Sequence, residues 1–251
     1  MFGENTVLLG IVASSLAGLA TGIGTLPVLI TRNISDKMMD AMLGFAAGIM
    51  LAATSFSLIV PAIEIGGVWI TVAGMAVGAL FLDRIDKWVP HYHFFGGGPE
   101  GPSSTLRKAW LFVFAITIHN FPEGLAVGVG FGGGDIAAGT ALAIGIGLQN
   151  IPEGLAVALP LLREKYSKPK AMLIGTLSGL VEPIGGVIGA AAVTIAKPIL
   201  PFGLAFAAGA MLFVISDEII PETHSRGFER TATFGVIIGF LVMMILDNLF
   251  G

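Results

Sequence analysis

Two glutamates interrupt long apolar runs, each four residues after a side chain that can bind a metal or a proton donor: His119 precedes Glu123, and Gln149 precedes Glu153. The residues around them are nearly repeated. His119-Asn120-Phe121-Pro122-Glu123-Gly124-Leu125-Ala126-Val127 returns as Gln149-Asn150-Ile151-Pro152-Glu153-Gly154-Leu155-Ala156-Val157, identical at seven of nine positions. Residues at i and i+4 share a helix face, so each pair aims two polar groups the same way. A carboxylate at the centre of a bilayer costs about 2.5–3.5 kcal/mol on insertion scales. Leu or Ala would pack there without that penalty, so the doubled carboxylates point to function. The chemistry such groups perform together is coordination of a cation at the membrane midplane.

The neighbours of the two pairs strengthen this reading. Pro122 and Pro152 carry no N–H, so each frees the carbonyl four residues back, on Ile118 and Leu148, and bends its helix. Gly124 and Gly154 let helices approach closely. Glu182 lies mid-run directly before Pro183, and Met50 lies at the centre of another apolar run, as thioether ligand or as core filler. Asn120, Gln149 and Asn150 add carboxamides. One imidazole with several carboxylates suits Zn²⁺, Fe²⁺, Mn²⁺, Co²⁺ or Cd²⁺. The chain has no cysteine, so no thiolate would hold such an ion too tightly for release.

The elements that must position these residues are transmembrane helices. Of 251 residues 55% are hydrophobic and only 12% charged, the composition of a polytopic membrane protein. A net charge of −4 argues against a nucleic-acid surface. About 20 apolar residues cross a bilayer, and eight segments qualify: Asn5–Thr31, Asp40–Val60, Gly67–Leu82, Ala109–Phe131, Ile136–Leu162, Ala171–Ala196, Pro201–Ile220 and Thr231–Leu249. The first has no basic residue ahead of it and is read as a retained span rather than a signal peptide. Twelve of the 13 Lys and Arg fall in alternate loops on one face, Lys197 alone on the other, so that face is expected to be cytoplasmic and both termini outside. The whole chain reads as a single transmembrane domain.

A second repeat sets the plan. Leu43 to Leu51 in span 2 matches Leu204 to Leu212 in span 7 at an offset of 161, and Leu16, Gly18, Leu19, Ile23 and Gly24 match Leu177, Gly179, Leu180, Ile184 and Gly185 at the same offset. Spans 1–3 and 6–8 therefore form an inverted repeat around a central pair, a 3+2+3 all-α arrangement typical of transporters.

At this point the chain resembles the ZIP family of divalent metal transporters, in its bacterial branch. The resemblance rests on H-N-F-P-E-G in span 4, Q-N-I-P-E-G in span 5, eight spans and external termini. It implies a carrier that moves zinc, with cadmium, iron, manganese and cobalt as further substrates, into the cytoplasm across the inner (plasma) membrane. It implies a homodimer surrounded by membrane lipids, an elevator motion of spans 1, 4, 5 and 6 against the rest, and a binuclear site. Met50, His119, Glu123, Gln149 and Glu153 would form the main position. Asn120, Glu123, Asn150, Glu153 and Glu182 would form the neighbouring one, with Glu123 and Glu153 bridging. Many members carry His at the position of Gln149, and some carry an acid at the position of Asn150.

Further residues stand at the cytoplasmic ends. Asp217, Glu218, Glu222 and His224 form either an exit site or a helix-end charge cluster, and His91 and His93 either hand metal on or belong to a solvated loop. Two rival functions remain open: an intramembrane zinc hydrolase using His119, Glu123 and Glu153, although no H-E-x-x-H is present, and a metal channel.

Overall fold

A computed structural model describes residues 2–31, 33–88 and 102–250. The described residues are mostly helical, joined by short turns, with no strand among them. Eight helices are long and apolar enough to span a bilayer. They are α1 (Phe2–Gly24), α2 (Asp36–Gly66), α3 (Val68–Trp88), α4 (Pro102–Gly132), α5 (Ile136–Arg163), α6 (Lys168–Ile195), α7 (Lys197–Thr223) and α8 (Glu229–Phe250). Several begin or end beyond the apolar segment read from sequence. For α2 the start is fixed by Ser35, whose hydroxyl accepts the Met38 N–H and caps the first turn.

Three helices are irregular, each beside a proline. In α2 a π-helical stretch, Ala53–Ile59, precedes Pro61, and in α7 another, Ile215–Ile219, precedes Pro221. A proline cannot donate to the carbonyl four residues back, and the extra residue of a π-turn absorbs the mismatch. The α6 helix is broken outright: Lys168–Gly179 and Glu182–Ile195 are separated by a turn at Leu180 and Val181. Pro183 removes the bond to the Gly179 carbonyl. The repeat partner of Pro183 is Gly22, which keeps its N–H, and α1 runs unbroken to Gly24.

Helix packing obeys the two-fold relation contact by contact. A Cβ added to Gly48 of α2 would strike the Val236 carbonyl of α8, and one added to Gly209 of α7 would strike the Met75 carbonyl of α3, each residue 161 from its counterpart. Gly239 lies against the Phe45 carbonyl as Gly78 does against that of Phe206. Gly18 and Gly179 each lie against the other's carbonyl, which puts the pseudo-axis through the crossing of α1 and α6. In the centre Gly124 lies on the Glu182 carbonyl as Gly154 does on that of Thr21. Five crossings separate α1 from α6, so the two halves run in opposite directions and the repeat is inverted.

These close approaches set α1, α4, α5 and α6 apart from the pairs α2–α8 and α3–α7. Backbone meets backbone among α1, α4, α5 and α6, and between α2 and α8 and between α3 and α7. The contacts that join the groups go through side chains: Gly145 of α5 meets the Met243 thioether of α8, Gly203 of α7 meets the Val129 isopropyl of α4, and Gly133 meets Leu200. Outward faces are apolar, as lipid requires, with Leu8, Leu16 and Ile23 of α1 and Phe234, Ile238 and Ile245 of α8 exposed.

Candidate metal centre

The two repeated motifs meet at mid-depth. Pro122 and Pro152 lie inside α4 and α5 without ending them. His119, Asn120, Glu123, Gln149, Asn150, Glu153 and Glu182 are all buried, none more than 4% exposed. Gln149 Nε2 donates to Glu123 Oε1 at 2.6 Å, tying α5 to α4. Asn150 Nδ2 donates to Glu182 Oε1 at 2.6 Å and to the Ala17 carbonyl at 2.8 Å. Its repeat partner Asn120 donates from Nδ2 to the Ser178 carbonyl at 2.8 Å. The carboxyl of Glu123 lies within electrostatic reach of those of Glu153 and Glu182, and Glu153 within reach of the His119 ring. Glu182 opens the second half of α6, where unpaired N–H groups favour a negative side chain.

Much oxygen at this centre is unspent. Both carboxyl oxygens of Glu153 lack a hydrogen-bond partner among the described residues, as do Glu123 Oε2, Glu182 Oε2, Gln149 Oε1 and the carboxamide oxygens of Asn120 and Asn150. Buried polar atoms are nearly always satisfied, so such a concentration marks a place built for a polar guest. No three His, Asp or Glu side chains among the described residues form a ready coordination shell. Part of the donor set is instead drawn into hydrogen bonds, Gln149 with Glu123 and His119 with Glu218, which a cation would have to displace.

The remaining sequence candidates divide. Met50 is wholly buried in the apolar cluster that also contains Ile146 of α5 and its repeat partner Met211. The four residues at the end of α7 do not converge. Glu218, on the π-helical stretch, turns inward and its Oε1 lies 2.8 Å from His119 Nε2. Asp217 faces a cavity of about 460 Å³ between α3 and α7. Glu222 pairs with Arg226, and His224 Nδ1 lies 2.9 Å from both the Thr223 hydroxyl and the Ile220 carbonyl. His91 and His93 lie outside the described residues.

Two groups escaped the sequence reading. Asp40 of α2 is fully buried and its Oδ1 accepts from Arg226 Nη1 at 2.5 Å, so Asp40, Arg226 and Glu222 lock the start of α2 to the turn between α7 and α8. Asp40 was read as the edge of a span because charge there marks a boundary; only the partner 186 residues away shows it is interior. Thr21, the repeat partner of Glu182, is buried with its hydroxyl unpartnered among the described residues. The offset of 161 applied to Glu182 finds it. Beside the Asp40 lock, a cavity of about 380 Å³ opens between the groups, lined by Asp36, Arg163, Glu164, Glu222 and Arg226 among others.

An all-helical chain with eight spans and a buried set of carboxylates, carboxamides and one imidazole at their centre is a multi-pass membrane protein built to handle a polar guest. It belongs to the ZIP family: residues 96–247 match the family model described as ZIP zinc transporter. It is 45% identical to the zinc transporter GufA of Myxococcus xanthus, over 96% of this chain and 99% of that protein. It is 43% identical to the zinc transporter ZIPB of Bordetella bronchiseptica, over 99% of this chain and 84% of that one. It is 36% identical to the human zinc transporter ZIP11, over 98% of both chains. Divalent metal transport is the function of the family to which the chain belongs.

Proposed function

We propose that this chain is a carrier for zinc, with cadmium, iron, manganese and cobalt as competing substrates, moving them into the cytoplasm through a site on α4 and α5 bordered by Glu182 of α6. The observation that carries it is the ring of unpartnered buried oxygens on Glu123, Gln149 and Glu153 beside the only buried imidazole among the described residues, His119. A dehydrating Zn²⁺ ion finds there nitrogen and carboxylate together. Its ligands must be deprotonated, so protons compete with the metal on entry and occupy the glutamates when it leaves. Asn120, Asn150 and Glu182 stand where a binuclear arrangement would have its second position.

The cation-rich loops support an orientation with the Glu222 and Arg226 end of the seam cytoplasmic and both termini outside an inner (plasma) membrane. Release would run past Glu218 into the cavity beside Arg163 and Arg226. Side-chain contacts between the helix groups, against backbone contacts within them, suit sliding of α1, α4, α5 and α6 as one body. A homodimer would seat on the remaining helices. The relatives of this chain carry the names of transporters, which supports a carrier over an enzyme.

The test is radioactive zinc uptake into proteoliposomes, wild type beside His119→Ala, Glu123→Ala and Glu153→Ala, with cold competitor metals. Saturable uptake is expected for the wild type and background for the variants, each eluting as a folded species. Undiminished uptake in the folded Glu123→Ala protein would remove the site assignment. Flux that rises linearly with metal, without saturation, would favour a channel.

A further inference from the structure

We infer that the centre holds one transition-metal ion per chain, because Asn150 closes the second position with its own amide. This rests on the reading of His119, Glu123, Gln149 and Glu153 as the cargo site.

The argument starts from the two asparagines. Both Nδ2 atoms tie a motif helix to the backbone of the α1–α6 crossing, Asn120 to the Ser178 carbonyl and Asn150 to the Ala17 carbonyl, and Ala17 and Ser178 are 161 residues apart. The two straps are therefore the same device, used twice about the pseudo-axis. A strap to a carbonyl needs a donor, which a carboxylate does not have. Asn150 is thus accounted for as a donor, without metal.

Its second amide hydrogen is spent on Glu182 Oε1. That carboxylate is the one charge at the second position not shared with the first, and the positive edge of an amide now covers one of its oxygens. A cation seated on that oxygen would face the amide hydrogens; Gln149 covers Glu123 Oε1 in the same way at the first position, but there the imidazole of His119 offers a nitrogen that the second position lacks. The oxygens that remain there, Glu182 Oε2 and the carboxamide oxygens of Asn120 and Asn150, bring neither nitrogen nor a second charge of their own. Carboxamide and carboxylate oxygen suits hard ions and water, not Zn²⁺ in competition with an imidazole-bearing position beside it. Glu123 and Glu153 would have to serve two divalent ions at close range in an apolar interior, where like charges repel strongly. Asn150 is accordingly a positioning residue, holding Glu182 and α1 while the ion rides on the four residues of the first position.

Zinc per chain, measured by elemental analysis of the purified full-length protein equilibrated with Zn²⁺ in detergent, tests this. The wild type and Glu182→Gln are each expected to retain one ion, and Asn150→Asp two, because the acid loses the strap and adds the missing charge. Two ions on the wild type, falling to one in Glu182→Gln, would overturn the inference even if Asn150→Asp fails to fold. A folded Asn150→Asp protein that still binds one ion would overturn the role given to Asn150. If the wild-type ion survives Glu123→Ala, the cargo-site assignment fails and this inference with it; if it is lost there while Glu182→Gln keeps it, both stand.

Discussion

At the scale of single residues, the contact between His119 and Glu218 sets the character of the site. A carboxylate on the far ring nitrogen fixes the imidazole's orientation and raises its basicity, as it does for metal-ligating histidines generally. Removing such a partner costs about 10–100-fold in metal affinity, so Glu218→Gln is expected to raise the zinc concentration for half-maximal uptake by about that factor. Concentration dependence of uptake reads this directly, and an unchanged half-saturation would mean that the ring is held by the helix alone. The motif side chains were legible in the sequence because polar residues inside apolar runs are rare and these come twice. Glu218 was legible as a residue and not as a partner of His119. The contact joins two helices at positions 99 residues apart, and no local pattern in the sequence announces such a partner. Asp40 was lost for the same reason: burial of an ion pair depends on a partner far away in sequence.

At the scale of helices, glycine decides where backbones can touch. Gly154 sits against the Thr21 carbonyl and Gly124 against that of Glu182, and in neither place is the neighbour a movable side chain. An added methyl there must push two helices apart, an overpacking cost of about 1–3 kcal/mol. Gly154→Ala is expected to lower the thermal midpoint and uptake together, whereas Gly130→Ala, whose nearest neighbours lie 3.6 and 3.7 Å from the new Cβ, is expected to change neither. Equal behaviour of the two variants in a melting assay would show that the α1–α5 contact yields easily. The eight helices were readable because apolar length is a strong signal. Their ends were not, since helices such as α2 continue past the apolar segment into Asp36 and Lys37 and on to Gly66. The break in α6 had its signal in Pro183, but the unbroken partner α1 shows that position alone does not dictate it: the proline does, where its repeat mate is Gly22.

At the scale of the molecule, a seam of side chains runs between a body of α1, α4, α5 and α6, keyed backbone to backbone, and a second made of the keyed pairs α2–α8 and α3–α7. Keyed contacts resist sliding because a carbonyl lodged over a glycine has no second seat nearby, whereas a seam of Met, Val and Leu can be repacked at small cost. The pseudo-two-fold relation supplies the second arrangement: whatever one half does at the inner side, the other can do at the outer. Polar contacts cross the seam at His119 with Glu218 and, near one end, at Arg163 with Asp36, 3.3 Å apart and exposed. An exposed pair of this kind contributes at most about 1 kcal/mol, weak enough to break in each cycle of the proposed sliding motion. The chain has no native cysteine, so paired cysteines report without background. Joining Asp36→Cys to Arg163→Cys with a short bis-thiosulfonate linker, which attaches through disulfides, is expected to stop zinc uptake, and reduction of those disulfides to restore it. The same treatment of Leu29→Cys with Lys168→Cys, which bridges α6 to the chain just after α1 within one body, is expected to leave uptake intact. Full cross-linking across the seam with uptake preserved would mean that the two bodies do not move past one another, and that the ion passes through a centre that stays in place.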